Sequence, residues 1–159
     1  MSAEQPGSAS TISILFVCLG NICRSPSAEA VARSLARRQG LDGAVSFDSA
    51  GTGSWHIGDP PDPRAQAAAA ARGIALDGRA RQVSRRDFER FDLLVAMDRS
   101  VLATLRELAP EESARAKVRL LPGEHEVPDP YYGGPDGFER VLDLLEVRCA
   151  ELLSELDLK

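Results

Sequence analysis

Cysteine is scarce in this chain: Cys18, Cys23 and Cys149 are the only three among 159 residues. An odd, low count excludes a disulfide framework and suits a reducing compartment. Histidine is scarcer, with His56 and His125 alone. Without a second cysteine pair or a His-x-x-x-His spacing there is no zinc pattern, and neither a metal nor any other cofactor is expected. No apolar run approaches the ~20 residues needed to span a bilayer. The opening "MSAEQPGSAS" lacks the basic and apolar regions of a signal peptide, so a cytoplasmic location is expected. Residues 1–10 read as a disordered lead-in to one domain over residues 11–159. Positive charge is in deficit, 19 basic residues against 24 acidic for a net −5, which disfavours nucleic acid and anionic membranes as partners. There is no Gly-x-x-x-x-Gly-Lys-[Ser/Thr] nucleotide loop, no internal repeat and no linker.

What is present is an alternation. "TISILFVC", "AVSFDSAG", "FDLLVAMD" and "KVRLLP" read as strands. Between and after them, "SPSAEAVARSLARRQG", "DPRAQAAAAARG", "RRDFERF", "RSVLATLREL" and a closing segment from Phe138 to about Leu156 read as helices. The alanine-rich helix is expected to pack closely on a sheet, and Ser84 to cap "RRDFERF". In the closing helix Val141, Leu144, Leu145, Leu152 and Leu153 recur at helical spacing, and Cys149 reads as structural. The expected fold is α/β: a single four-stranded parallel sheet with helices on both faces. Ligands of such sheets bind beyond the carboxyl ends of the strands.

The stretch "CLGNICRS" follows the first strand at that end. It suits neither strand nor helix, but it suits an anion. Backbone amides of Leu19, Gly20, Asn21, Ile22 and Cys23 can curl before the N-terminus of the following helix, where the helix dipole favours negative charge. Gly20 permits a tight turn, and Asn21 tolerates a left-handed conformation. Arg24 offers a planar fork matched to two phosphate oxygens. Helix N-termini and cations favour the thiolate form of a cysteine, and Ser25 can add a hydroxyl hydrogen bond, so Cys18 reads as a nucleophile aimed at phosphorus.

Cys-x-x-x-x-x-Arg-Ser near the N-terminus, with "DSAGTGSW", "GDPPDPRA", "ARQVSRRDFERFD", "AMDRS" and the distant "DPYYGG" in order, resembles the low-molecular-weight protein tyrosine phosphatases over nearly the whole chain after Thr11. The resemblance implies hydrolysis of phosphotyrosine through a cysteinyl-phosphate, with Asp129 of "DPYY" as general acid and base. Tyrosine-phosphorylated proteins are then the partners, inorganic phosphate is product and inhibitor, and the chain works as a monomer. It implies aromatic walls from Trp55, Tyr131 and Tyr132, with His56 at a variable wall position tuning substrate preference. It also implies that Cys23 can pair reversibly with Cys18, and that Asn21, Ser25 and Ser49 form a network supporting the loop. Arg72, grouped with Ser49 as loop support, stands where the family usually has histidine before Gly-Ile, so that support is expected to be rearranged.

Alternatives stand beside several residues. Cys23 is a structural thiol or a redox partner. Asp98 supports the site or caps the helix beginning "RSVLATL". Tyr131 and Tyr132 are walls, loop packing or phosphorylation sites, and His125 is a solvated turn residue. An arsenate reductase of similar fold would need two further cysteines near mid-chain, and none lies between Cys23 and Cys149. A module that captures phosphotyrosine without turnover would not be expected to retain Cys18, Arg24 and Asp129 together.

Overall fold

The computed structural model describes residues 11–122, 126–130, 136–156 and 158. The lead-in reading of residues 1–10 and the readings of His125, Tyr131 and Tyr132 lie outside them. Four strands, β1 (Ile12–Cys18), β2 (Val45–Gly51), β3 (Leu93–Ala96) and β4 (Val118–Leu120), form one sheet in the order β2-β1-β3-β4. All three pairings are parallel. The helices are α1 (Arg24–Arg38), α2 (Pro63–Ala70), α3 (Asp87–Arg90), α4 (Arg99–Leu108), α5 (Glu112–Arg115) and α6 (Asp136–Glu155). The single four-stranded sheet flanked by helices agrees with the sequence expectation.

β1 is the centre, and its composition explains why. Ile14, Leu15, Phe16 and Val17 are all 0 % exposed. Alternate side chains of a strand leave opposite faces, so both faces are covered. Ile14 and Phe16 join Val31 and Ala32 of α1 and Val141, Leu142 and Leu145 of α6 in one core. Leu15 and Val17 join Phe88 of α3 with Val101 and Leu105 of α4 in the other. Each such side chain contributes roughly 1.5–3 kcal/mol on burial, more than its share of backbone ordering. The strand order turns back at β1, since the chain goes to one side for β2 and to the other for β3. The crevice between the carboxyl ends of β1 and β3 is therefore where a ligand site is expected.

Three local expectations need correction. The alanine-rich α2, with Ala65, Ala68 and Ala69 buried, packs against α6 rather than directly on the sheet. Small side chains allow that close helix-to-helix approach as well as they would a sheet contact. Ser84 does not cap α3 with its side chain; the Asp87 carboxylate reaches back and accepts from the Ser84 amide at 2.8 Å. In α6 the core position falls to Leu142, while Leu144 is half-buried. The four-residue α5 has no counterpart in the sequence reading, being too short for periodicity to register.

Candidate active site

Cys18 is the last residue of β1 and Arg24 the first of α1, so residues 19–23 must reverse the chain within a few ångströms. Asn21 makes this possible with φ 59, the one non-glycine residue at positive φ among those described. Its side chain holds the turn open by using both of its donors and its acceptor. Nδ2 donates to Ser25 Oγ at 2.8 Å and to Ser49 Oγ at 3.0 Å, and Oδ1 accepts from the Arg81 amide at 2.9 Å. At 4 % exposure, these bonds form away from competing water.

The loop's carbonyls are pinned outward. Thr52 donates to Cys18 O, Gly53 to Leu19 O and Asp62 to Ile22 O, at 2.8–2.9 Å. With those carbonyls engaged, the Asn21 amide donates to the Cys18 sulfur at the centre of the curl, beside the N-terminus of α1, an arrangement suited to an anion. Gly51 allows the close approach of β2: a β-carbon on it would stand 2.8 Å from Leu19 O and 3.1 Å from the Asn21 amide.

Around that centre the structure brings together Cys18, Arg24 and Asp129. They line one cleft of about 110 Å³ with the loop residues 19–23, Trp55 and His56. Cys18 Sγ accepts from the Asn21 amide at 3.2 Å and lies 3.0 Å from Ser25 Oγ. Arg24 is 3 % exposed, with Nη1 donating to Asp98 Oδ2 at 2.7 Å and to Val127 O at 3.1 Å. Burial works against its charge, but the Cys18 sulfur, Asp98 and Asp129 outweigh burial and hold its pKa above the usual value. Its Nη2 lies 3.8 Å from Asp129 Oδ2. The Asp129 side chain is about two-fifths exposed at the cleft mouth.

Cys23 caps no amide with its side chain at the start of α1. Burial, then the negative neighbours Asp62, Cys18 and Asp129, push its thiol up to about 12, with Arg64 opposing. Cys18, Cys23 and Cys149 are all free and buried. Burial alone raises Cys149 to about 12, in keeping with a structural residue. His56 stands at the rim with Nδ1 3.1 Å from Asp59 Oδ2.

Arg72 does not support the loop. Its guanidinium reaches across to α6, pairing with Glu139 at 2.7 Å, Asp143 at 2.9 Å and Glu146 at 3.3 Å. Those carboxylates recur at three- and four-residue spacing, on one helix face, which draws a nearby cation away from the site. The residue that takes up the loop is Arg81, which the sequence reading did not single out. Its amide holds Asn21, its carbonyl accepts from the Gly51 amide at 2.9 Å, and its guanidinium bridges Asp87 at 3.0 Å and Asp48 at 3.2 Å. Because two of these bonds come from backbone, no side-chain pattern could have signalled them. Asp98 proves to do both of its alternatives, since Oδ1 also accepts from the Val101 amide at the start of α4.

A thiol and a buried guanidinium on one amide-lined loop, faced by a carboxylate at the switch point of a parallel sheet, define a centre for phosphate ester chemistry. The family profile described as low molecular weight phosphotyrosine protein phosphatase matches residues 13–159. A Streptomyces coelicolor low molecular weight protein-tyrosine-phosphatase is 50 % identical over 152 residues, 91 % of this chain and 93 % of that one. The human low molecular weight phosphotyrosine protein phosphatase is 41 % identical over 152 residues, 91 % of this chain and 95 % of its own. Among solved structures, an Entamoeba histolytica protein tyrosine phosphatase with Hepes in its active site superposes with TM-score 0.88 at 41 % identity, covering 92 % of this chain and 97 % of that one. Vibrio vulnificus Wzb in complex with benzylphosphonate superposes with TM-score 0.81 at 26 % identity, covering 91 % and 98 %. The chain belongs to the low molecular weight phosphotyrosine protein phosphatases. It is a protein-tyrosine phosphatase, and its substrates contain phosphotyrosine.

Proposed function

We propose that Cys18 is the nucleophile, Arg24 the phosphate clamp and Asp129 the general acid and base of this hydrolysis. The observation that carries the assignment is the meeting of all three on one cleft, with Arg24 Nη2 3.8 Å from Asp129 Oδ2. In the first step the Cys18 thiolate attacks phosphorus, an S–P bond forms, and the ester P–O bond breaks as Asp129 protonates the departing tyrosine oxygen. Ser25 Oγ, 3.0 Å from the sulfur, donates to the thiolate. Arg24 and the loop amides take the charge of the equatorial oxygens as it develops. In the second step the Asp129 carboxylate accepts a proton from water attacking the phosphocysteine, which releases inorganic phosphate and restores the thiolate. The released phosphate occupies the same loop and so competes with substrate.

Trp55 and His56 line the same cleft and serve as walls beside an aryl ester whose phosphate sits on the loop. The benzylphosphonate in complex with the Vibrio relative supports an aromatic ligand. Cys18, Arg24 and Asp129 line one cleft within a single chain, and we infer that the monomer acts alone.

Hydrolysis of a phosphotyrosine peptide in EDTA, beside its phosphoserine counterpart, tests the assignment. Cys18→Ser should abolish turnover while retaining peptide binding. Asp129→Asn should lower kcat by about 10²–10⁴-fold on phosphotyrosine. It should do less to esters of strongly acidic phenols, whose oxygens leave without a proton. A Cys18→Ser enzyme with wild-type turnover would overturn the mechanism.

A further inference from the structure

Trp55 is 65 % exposed, yet its ring occupies a defined seat. A β-carbon on Gly53 would stand 2.3 Å from Cζ3, 2.4 Å from Cη2 and 2.9 Å from Cε3 of that indole. The outer ring therefore lies over the bare Cα of Gly53 at a depth that no other residue type permits. Gly53 is not among the positive-φ glycines, so its backbone does not itself require glycine. An alanine is compatible with the chain there, and the group that must yield is the far end of a solvent-facing side chain. Displacing it changes where the wall stands and costs the fold little.

Gly53 is also tied to the phosphate loop, since its amide donates to Leu19 O at 2.8 Å. The height of the indole is thus referenced to the loop through one hydrogen bond and one glycine. His56 shows a looser version of the same arrangement, with its Cδ2 3.0 Å from where a Gly20 β-carbon would be. We propose that Gly53 is a specificity-determining positioning residue. By seating Trp55 at a set distance above the phosphate loop, it gives the cleft its preference for aryl over alkyl phosphate esters. This rests on the reading of Trp55 as a cleft wall.

Trp55 is the only tryptophan in the chain, so intrinsic emission reports on its seat directly. Gly53→Ala should raise KM for a phosphotyrosine peptide by about three- to tenfold, the worth of one aromatic contact. It should leave kcat within about twofold and shift the emission and its quenching by iodide. KM for an alkyl phosphate and inhibition by inorganic phosphate should stay unchanged. In a Trp55→Ala background Gly53→Ala should add nothing, because the pair acts as a unit. If Trp55→Ala itself leaves the aryl KM unchanged, the wall reading fails and the proposal with it. If Trp55→Ala raises that KM but Gly53→Ala moves neither KM nor emission, the seat proposal alone is overturned. An effect of Gly53→Ala that persists without Trp55, or that weakens inorganic phosphate equally, would place its action in the loop and overturn the proposal as well.

Discussion

Asp98 holds Arg24 with one carboxylate oxygen and the first turn of α4 with the other: Oδ2 lies 2.7 Å from Arg24 Nη1, and Oδ1 accepts from the Val101 amide at 2.8 Å. A side chain with both oxygens engaged has little freedom, so the guanidinium it holds is fixed with respect to β3. Arg24 Nη1 is further held by Val127 O, just before the segment that carries Asp129. Arg24, the proposed phosphate clamp, and Asp129, the proposed acid, are thereby referenced to the same point of the fold.

Asparagine and alanine at position 98 separate the two roles. Asp98→Asn keeps a good cap but removes the charge opposite Arg24, and should lower kcat/KM by about tenfold to a hundredfold, the effect of a misplaced clamp. Asp98→Ala should show a similar kinetic loss and cost about 1 kcal/mol more in stability, because α4 loses its cap. Steady-state kinetics beside urea denaturation checks both. Equal stabilities would refute the capping role.

Cys23 and Cys149 are held near 12, so both remain thiols at neutral pH. Iodoacetamide at pH 7 should leave both unlabelled, since only thiolates react at useful rates, and should alkylate Cys18, which lines the open cleft. Phosphate should protect Cys18, and Cys18→Ser should take up no label. Peptide mass mapping reads the outcome, and labelling of Cys23 at rates matching Cys18 would contradict it.

Arg72 is expected to serve stability rather than catalysis, because its guanidinium is engaged by α6. Its three partners on α6 are 41–70 % exposed, so solvent screens each pair and the network is worth about 1–2 kcal/mol at most. Arg72→Met should lower Tm by a few degrees, less so in high salt, with kcat/KM within twofold of wild type. A large loss of activity at unchanged Tm would restore the loop-support role.

Asp62 carries an acid-dependent contribution. The side-chain hydrogen bonds from Arg64 hold its carboxyl below the usual carboxylate range, against the opposing effect of burial, with help from the Arg64 and Ala65 amides. A folded pKa below the unfolded one stabilises the fold fully above the unfolded value of about 3.9 and less as pH falls through the lowered folded value. Asp62→Asn should therefore be less stable than wild type at pH 6–7, and the gap should close as pH drops below about 4. A gap independent of pH down to acid unfolding would show that the charge is irrelevant.

The sheet and the anion loop were legible because their causes are local. Ile14 to Val17 form an unbroken apolar run that only a strand covered on both faces can bury. Cys18, Asn21, Arg24 and Ser25 lie close together in the chain, so their spacing can be read without any tertiary contact. Asp129 entered only through likeness to a family, since nothing near it in the chain announces a partner 105 residues earlier. Arg72 was misplaced for the same reason: position along a motif says nothing of the acidic face of α6 that it meets in space. Arg81 escaped notice because it supports the loop with its amide and carbonyl, which every residue has.

The sequence by itself determined the parallel α/β arrangement and the cysteine-to-arginine anion loop, since apolar runs and short-range turn chemistry act over a few residues, and its likeness to a family implied the class of ester. Only the tertiary structure decided which groups hold that loop in shape. Asp98 reaches Arg24 across 74 positions, Arg81 reaches Asn21 across 60, and a glycine next to β2 receives the indole of the wall. Those relations depend on where the carboxyl ends of β1, β2 and β3 come to rest. That is set by the packing of two cores at once, and by no segment of the chain alone.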